Sequence, residues 1–389
     1  MFALPLAVGC AADAPGGGAV VRDSAGIAII ENPSPDTTTV FASLGETPSV
    51  VIGEAMGAPE QQLYRVSGGA RLSDGRIVIA NAGTELRFYD GEGRYQQTVG
   101  RRGEGPGEFT GLSQIMVGEE DSLYAYDRGS RRLSILSAEG ELVRSHRLEP
   151  QQERALSLAD RFSDGTFLAL TGFSSSDRRD FRQEEVARPR ARALRFVPDL
   201  SSADTLLEYA GPEMHFRPDR WGGLLLGRVA HVTAHDTLLY VATQEHGFEV
   251  VVYGTGGAQQ RRIRAATTPA PSAPVVRFLL DSARKALPPE QHTAIEQRYA
   301  ETPIPELLPP HGRLLVDAEA NLWVAEYTPL QQRPRLWTVF DPTGRFAGVV
   351  RLPMEGLELF EVGGSHVLAR HSDALDVERV MLFELQRKR

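Results

Sequence analysis

Apolar residues in this chain arrive in short bursts, each about five residues long and entered from a polar turn. "SDGRIVIAN" (73–81) sets the pattern, which returns as "EEDSLYAYD" (119–127), "SDGTFLALT" (163–171), "HDTLLYVAT" (235–243), "AEANLWVAE" (318–326) and, more weakly, "VGGSHVLAR" (362–370). β-Branched and aromatic residues fill the bursts, while Asp, Gly, Asn and Ser hold the turns. Each copy therefore predicts a buried strand entered from a tight turn. Where no insertion intervenes, successive copies lie about 45 residues apart.

A second apolar run follows each burst and ends in another turn: "RFYDGEG" (87–93), "SILSAEG" (134–140), "VVVYGTGG" (250–257) and "TVFDPTG" (338–344), with "LRFVPDLS" (194–201) lacking the final glycine. One more strand comes after the turn, as in "RYQQTVG" (94–100), "ELVRSHRL" (141–148) and "RFAGVVRL" (345–352). Four antiparallel strands per unit in six units predict an all-β fold, a six-bladed β-propeller. The last unit supplies only "LELFEV" (357–362), "HVLAR" (366–370) and "ERVMLFEL" (378–385). Its outer strand is expected from "SVVIG" (49–53), which leaves the ring no free edge. The chain then divides into residues 1–18, an N-terminal extension over 19–48 and one propeller domain over 49–389. With 49–53 closing the ring, the N-terminal tether is expected to leave from the face of the short turns, unless "GIAIIEN" (26–32) adds a strand of its own.

The densest glycine run, "GRRGEGPGEF" (100–109), is a candidate phosphate cradle. A phosphate loop needs a following helix to offer its amides and a lysine at its end. Here Pro106 interrupts the run and the strand-like "LSQIMVG" follows, so it is expected to be a blade connector, like "IGEAMGAPEQQL" (52–63) with its equal glycine-to-proline spacing. The stretch 100–140, with "GPGEF", "LYAYDRGSRRLSIL" and a closing glycine, resembles an NHL repeat. The span 50–385 is similar to six-bladed β-propeller lipoproteins of bacteria. That resemblance implies an envelope protein of a family whose members act as binding scaffolds and, in some branches, as lactonases or amidating lyases. Fold alone does not decide between them.

In an up-and-down blade the turns alternate between the two faces of the disc. The short turns "SDGR", "EED", "DGEG" and "DPTG" share one face, and the long insertions 172–191, 210–227, 265–310 and 327–335 share the other. The insertion-bearing face is expected to be the working face. Within it, "VVRFLLDSARKALPPEQHTAIEQRYA" (275–300) predicts a helical insertion broken at Pro-Pro, either a lid over the central channel or a helix on the rim. "HFRPDRW" (215–221) places Arg217, Arg220 and Trp221 near Arg228 and His231, a set suited to an anionic or planar ligand. The alternative is a solvated loop with Trp221 as a packing plug.

Composition narrows the function further. The 389 residues carry a net charge of −9, with basic residues scattered rather than striped, which argues against nucleic acid as a partner. The single cysteine, Cys10 in "LPLAVGCAADAPGGG", has no partner for an internal disulfide and resembles the lipidation site of bacterial lipoproteins, although "MFALPLAV" lacks the basic residues usual before such a run. Lipidation at Cys10 implies a periplasmic or outer-membrane location, with the membrane reached only through the lipid. Catalytic signatures are sparse. His231 and His235 on one strand stand about 13 Å apart, too far to share a zinc, and no GxSxG or HExxH occurs. Asn81, Asp127, Glu326 and Glu358 are the positions from which a channel calcium site would draw. No cofactor is expected; calcium or zinc belongs to the alternative of a metal-dependent hydrolase or lyase. The expected function is binding of a peptide, glycan or protein partner from the envelope.

Overall fold

Each apolar burst forms the second strand of an antiparallel sheet in the computed structural model, which describes residues 18–148, 156–173, 183–329 and 332–388. Blade 1 comprises Gly68–Arg71, Ile77–Asn81, Glu85–Tyr89 and Tyr95–Val99, and blade 2 comprises Leu112–Val117, Leu123–Asp127, Arg132–Leu136 and Leu142–Arg147. Blade 3 is built from Leu156–Arg161, Phe167–Thr171, Arg190–Phe196 and Ala203–Ala210. Blade 4 contains His231–His235, Leu238–Ala242, Phe248–Gly254 and Gln259–Ala265; blade 5 contains Leu314–Val316, Leu322–Ala325, Leu336–Phe340 and Phe346–Arg351. Blade 6 draws Leu357–Val362, His366–Ser372 and Glu378–Arg387 from the C-terminal end of the chain. The fold is the six-bladed propeller that the repeats predict.

The blades are held by side chains that interdigitate across each junction. Leu72, Val78 and Phe88 of blade 1 pack on Phe109, Leu123 and Leu136 of blade 2, and a comparable apolar cluster fills each of the other five junctions around to blade 6 against blade 1. The glycine run turns a corner. Phe109 is fully buried, donates its backbone N–H to Arg101 O at 2.9 Å and accepts from Gly103 N at 3.1 Å, and its ring lies where a Cβ on Gly100 would come within 2.5 Å. With φ at +87°, Gly100 is constrained by both conformation and space.

The N-terminal extension departs from a simple closing strand. It forms β1 (Val20–Ser24), β2 (Ile27–Asn32), β3 (Ala42–Leu44) and β4 (Val50–Ile52). β2 runs parallel to Gln259–Ala265 and β1 pairs antiparallel outside it, so blade 4 has six strands rather than four. The cause is the apolar "IAII": Ile30 is 2% exposed and joins the cluster between blades 4 and 5. The chain then crosses blade 5, where Phe41 N donates to Val349 O and Val349 N to Thr39 O. Gly348 makes this approach possible, because a Cβ there would sit 2.7 Å from Phe41 N. Finally β3 and β4 pair antiparallel with Glu378–Arg387 of blade 6. One strap thus covers the outer edges of three consecutive blades. β2 is the added strand that "GIAIIEN" offered as the alternative, and it carries the start of the described chain to the outer edge of blade 4. Cys10 lies outside the described residues.

Two insertions pair with each other on the face opposite the short turns. Glu185–Ala187 from the first and Met214–Phe216 and Trp221–Gly223 from the second form a three-stranded sheet. The third insertion folds into α1 (Ala273–Ala286) and α2 (His292–Glu301). No helix among the described residues is long and apolar enough to cross a membrane.

Candidate functional site

The inner strands of blades 4, 5 and 6 begin on the insertion-bearing face, and the residues at those beginnings surround a recess of about 210 Å³ at the channel mouth. His231 opens the first strand of blade 4, Arg313 immediately precedes that of blade 5, and Glu358 is the second residue of blade 6. Arg333 enters from the loop between the second and third strands of blade 5, and Trp337 from the third strand itself. Sharing Glu326, Thr328, Gln332 and Arg333, the recess opens into a furrow of about 800 Å³ between blades 5 and 6.

The charges here are unevenly engaged. Glu358 Oε2 receives Arg333 at 2.8 Å and Arg370 at 2.5 Å. Arg370 also reaches Glu378 at 3.0 Å, whose second oxygen accepts the Val66 N–H. Glu326 Oε1 accepts the backbone N–H groups of Arg335 and Leu336 at 2.9 and 3.0 Å. Arg313 is different: its nearest carboxylate oxygen is Glu358 Oε1 at 3.9 Å, 41% of its side chain is exposed, and it lines the recess. Burial among the blades depresses its pKa against the opposing pull of Glu358. Burial also pushes His231 down to about 3, helped by His311 and Arg313, so its ring is neutral across the physiological range. The His311 ring lies 6.1 Å away and is held neutral in the same way, at about 4.

The family DUF5128, described as a 6-bladed beta-propeller, matches residues 63–158. Two solved structures share the ring. One is a protein of Bacteroides fragilis described as exported, 14% identical with a TM-score of 0.50, the match covering 93% of this chain and all of that one. The other is a member of the duf4221 family from Bacteroides vulgatus, 10% identical with a TM-score of 0.55, covering 90% of this chain and all of that one. At such identities the likeness is one of fold. No curated protein matches the chain.

The five ligand-binding candidates do not form one site. Arg217, Arg220 and Trp221 share a separate concavity of about 600 Å³, bordered by His215 and, across from them, by Ala294, Gln297, Arg298 and Glu301 of α2. Arg217 Nε donates to Glu184 at 3.2 Å and its terminal nitrogen to Glu301 O at 3.1 Å. Trp221 stacks edge-on against Phe173 at 4.8 Å, which gives it a packing role as well. Arg228 is taken up by the buried Glu213, which it meets at 2.5 Å. Only His231 reaches the channel recess. The helical insertion borders the side concavity and contributes no residue to the recess.

The four metal candidates are likewise dispersed, one each on blades 1, 2, 5 and 6: Glu358 is taken up by Arg333 and Arg370, and the other three serve as ties for backbone. Asn81 Oδ1 accepts Tyr64 N–H at 2.8 Å. Asp127 accepts from Thr110 N, Gly111 N and Ser130 N. Glu326 holds the turn into its own third strand, as above. Each closes a second strand at the same point of its blade, where loop N–H groups converge and need an acceptor. Among the described residues no group of three or more His, Cys, Asp or Glu side chains is placed to hold a metal ion.

Sequence reasoning missed Arg313, Arg333, Arg370 and Trp337. Position carried the available signal: "HGR" (311–313) directly precedes an inner strand, and such residues face the channel mouth.

Farther along the channel wall, Asp160 ties blade 3 to blade 4. Its carboxylate accepts Ala234 N–H at 3.0 Å and Thr233 Oγ1–H at 3.1 Å, while burial pushes its pKa up to about 6 against those bonds. A folded-state value above the ordinary 3.8 means that the folded protein holds the proton more tightly. This contribution is complete below pH 3.8 and is lost as pH rises through 6. The variant Asp160→Asn cannot ionise. Relative to wild type it should gain roughly 2–5 °C in melting temperature between pH 4 and pH 7.5. A constant difference between the two melting curves across that range would refute the assignment.

Proposed function

We propose that this protein is a ligand-binding propeller of the cell envelope, which holds its ligand on the insertion-bearing face with an anionic group of the ligand in the channel recess. The observation that carries this reading is Arg313. A guanidinium with five N–H donors, no carboxylate within hydrogen-bonding distance and an open approach from the recess is a ready partner for an anion, whereas the neighbouring arginines are occupied. The side concavity at Arg217, Arg220 and Trp221 extends the same face and offers room for the rest of a larger ligand. The envelope location is supported by the similar B. fragilis protein, described as exported, and by the apolar run before Cys10, which also supports lipid attachment at that residue.

The test is ligand capture from an envelope extract by immobilised wild type and Arg313→Ala, with bound compounds read by mass spectrometry. Anionic compounds retained by wild type and lost from the variant are expected. Equal retention by both proteins would remove the recess from the reading. In parallel, Cys10→Ser is expected to move the protein from the membrane fraction to the soluble fraction, and unchanged membrane association would count against the anchor.

A further inference from the structure

The recess is specific in what it can accept. One part of its wall is apolar, formed by Val229, Ala325, Pro334, Leu357, Leu359 and the indole of Trp337. Trp337 is 1% exposed, and its Nε1–H finds no acceptor among the described residues. Two unused groups in it can only donate, the Arg313 guanidinium and this indole N–H, beside the neutral His231 ring, the Tyr327 hydroxyl and the Gln332 amide, each of which can donate or accept. Of the carboxylates, Glu358 is bonded through Oε2 and Glu326 through Oε1. Arg313, held by no hydrogen bond and only loosely by Glu358 at 3.9 Å, is the cation best placed to take one negative charge, since Arg333 is paired to Glu358 at 2.8 Å and His231 stays neutral beside it. A doubly charged phosphate would bring a second charge for which no unpaired cation stands in the recess, since Arg333 is taken up by Glu358, and burying it there is strongly unfavourable. The cavity of about 210 Å³ has room for a phenyl or branched aliphatic group together with its carboxylate.

Resting on the ligand-binding reading above, we infer that the recess binds an apolar carboxylate, with its charged end on Arg313 and its apolar body against Trp337, Leu357 and Leu359. The carboxylate forms a forked pair with the guanidinium. The apolar group replaces water along the recess walls, which is the main source of affinity. Two sources can supply this chemistry, a free small acid or the last residue of a peptide. A peptide has an evident path, because the recess opens through Thr328, Gln332 and Arg333 into the furrow between blades 5 and 6, where the preceding residues can lie.

Calorimetric titration of the full chain with 3-phenylpropionate, N-acetyl-Gly-Phe, N-acetyl-Gly-Phe-amide and inorganic phosphate tests the inference. At least one of the two carboxylates is expected to bind, with the amide and phosphate at least about tenfold weaker. Arg313→Gln should weaken the carboxylate by a similar factor without changing the melting temperature, because its guanidinium makes no hydrogen bond within the described protein. Trp337→Phe, which removes the N–H and part of the wall with it, should weaken binding less and lower the melting temperature. A peptide acid binding about tenfold tighter than phenylpropionate identifies a chain terminus as the source, and equal affinities identify the free acid. Phosphate binding above the carboxylates, amide binding equal to the acid, or no binding of either acid would each overturn the inference. If in those cases Arg313→Ala still loses its captured ligand from the extract, the anion-binding recess stands and only the apolar carboxylate falls. If Arg313 variants change neither measurement, both readings fall.

Discussion

Deleting residues 1–55 is expected to collapse the cooperative unfolding of the ring, lowering the melting temperature by more than about 10 °C or abolishing a single transition. The deletion removes the whole strap. Ile30, Leu44, Val50 and Ile52 are each at most 9% exposed, and each belongs to one of three junction clusters, those of blades 4 with 5, 5 with 6 and 6 with 1. Burial of side chains of this size contributes about 1.5–3 kcal/mol apiece, so the loss approaches the 5–15 kcal/mol that stabilises a typical domain. The deletion also bares the backbone of Glu378–Arg387, an apolar strand whose outer edge then invites pairing with another chain. A shorter deletion ending at residue 24 separates the strap from its free end. Among the described elements it removes β1, all of whose residues are exposed, and should change stability by no more than about 1 kcal/mol. Calorimetry on both truncations decides the matter, and equal melting temperatures for the 1–55 deletion and the intact chain would show that the ring does not depend on the strap.

A comparable loss is expected from one side chain. Asp317, with no exposed surface, sits in the first turn of blade 5. It accepts the backbone N–H groups of Glu319 and Asn321 at 2.9 Å each, the indole N–H of Trp323 at 2.9 Å and the guanidinium of Arg387 at 2.9 Å. Arg387 comes from the end of blade 6 and lies over the ring of Phe41 in the strap, its guanidinium carbon 5.4 Å from the centroid. This carboxylate therefore joins a turn, a core tryptophan, the last blade and the strap. Asp317→Ala leaves those donors without an acceptor and a cation short of its partner, a loss of about 3–5 kcal/mol. Part of that loss is shared, so the double variant with Arg387→Ala should be less destabilised than the sum of the single variants by about 1–3 kcal/mol. Chemical denaturation of the four proteins measures both quantities. A single-variant effect below about 1 kcal/mol would mean that the network does not bear on stability.

The ring was legible because local chemistry repeats. Turns such as Ser73–Arg76 and bursts such as Ile77–Asn81 encode a strand pair within a dozen residues, and the copies align without reference to distant parts of the chain. The connector at 100–109 was legible for the same reason, since Pro106 and the following strand exclude a helix there. The strap was not. "IAII" reads as a strand, but its partner at Arg261–Ala265 lies more than two hundred residues away and pairs in parallel, a relation that no turn residue encodes. The candidate site was divided for a similar reason. Arg217, Arg220 and Trp221 share one short loop and did fall into one concavity. Arg313, Arg333 and Glu358 stand in separate segments, and only the convergence of inner strands at the channel mouth brings them together.

The strap also dictates an order of events as the chain is made. A polypeptide that emerges N-terminus first presents Ile27, Ile29, Ile30 and the Val50–Ile52 strand before any of their partners between residues 259 and 387 exist. Blades 1 to 3 have their own neighbours and can form in sequence, whereas these early apolar segments must wait for the last third of the chain. Pairings of such long sequence separation close slowly, and unpaired strands exposed in the interval are prone to aggregate. Completion of the ring is then a late event, and a chain interrupted before residue 380 should leave Val50–Ile52 without the strand that closes blade 6.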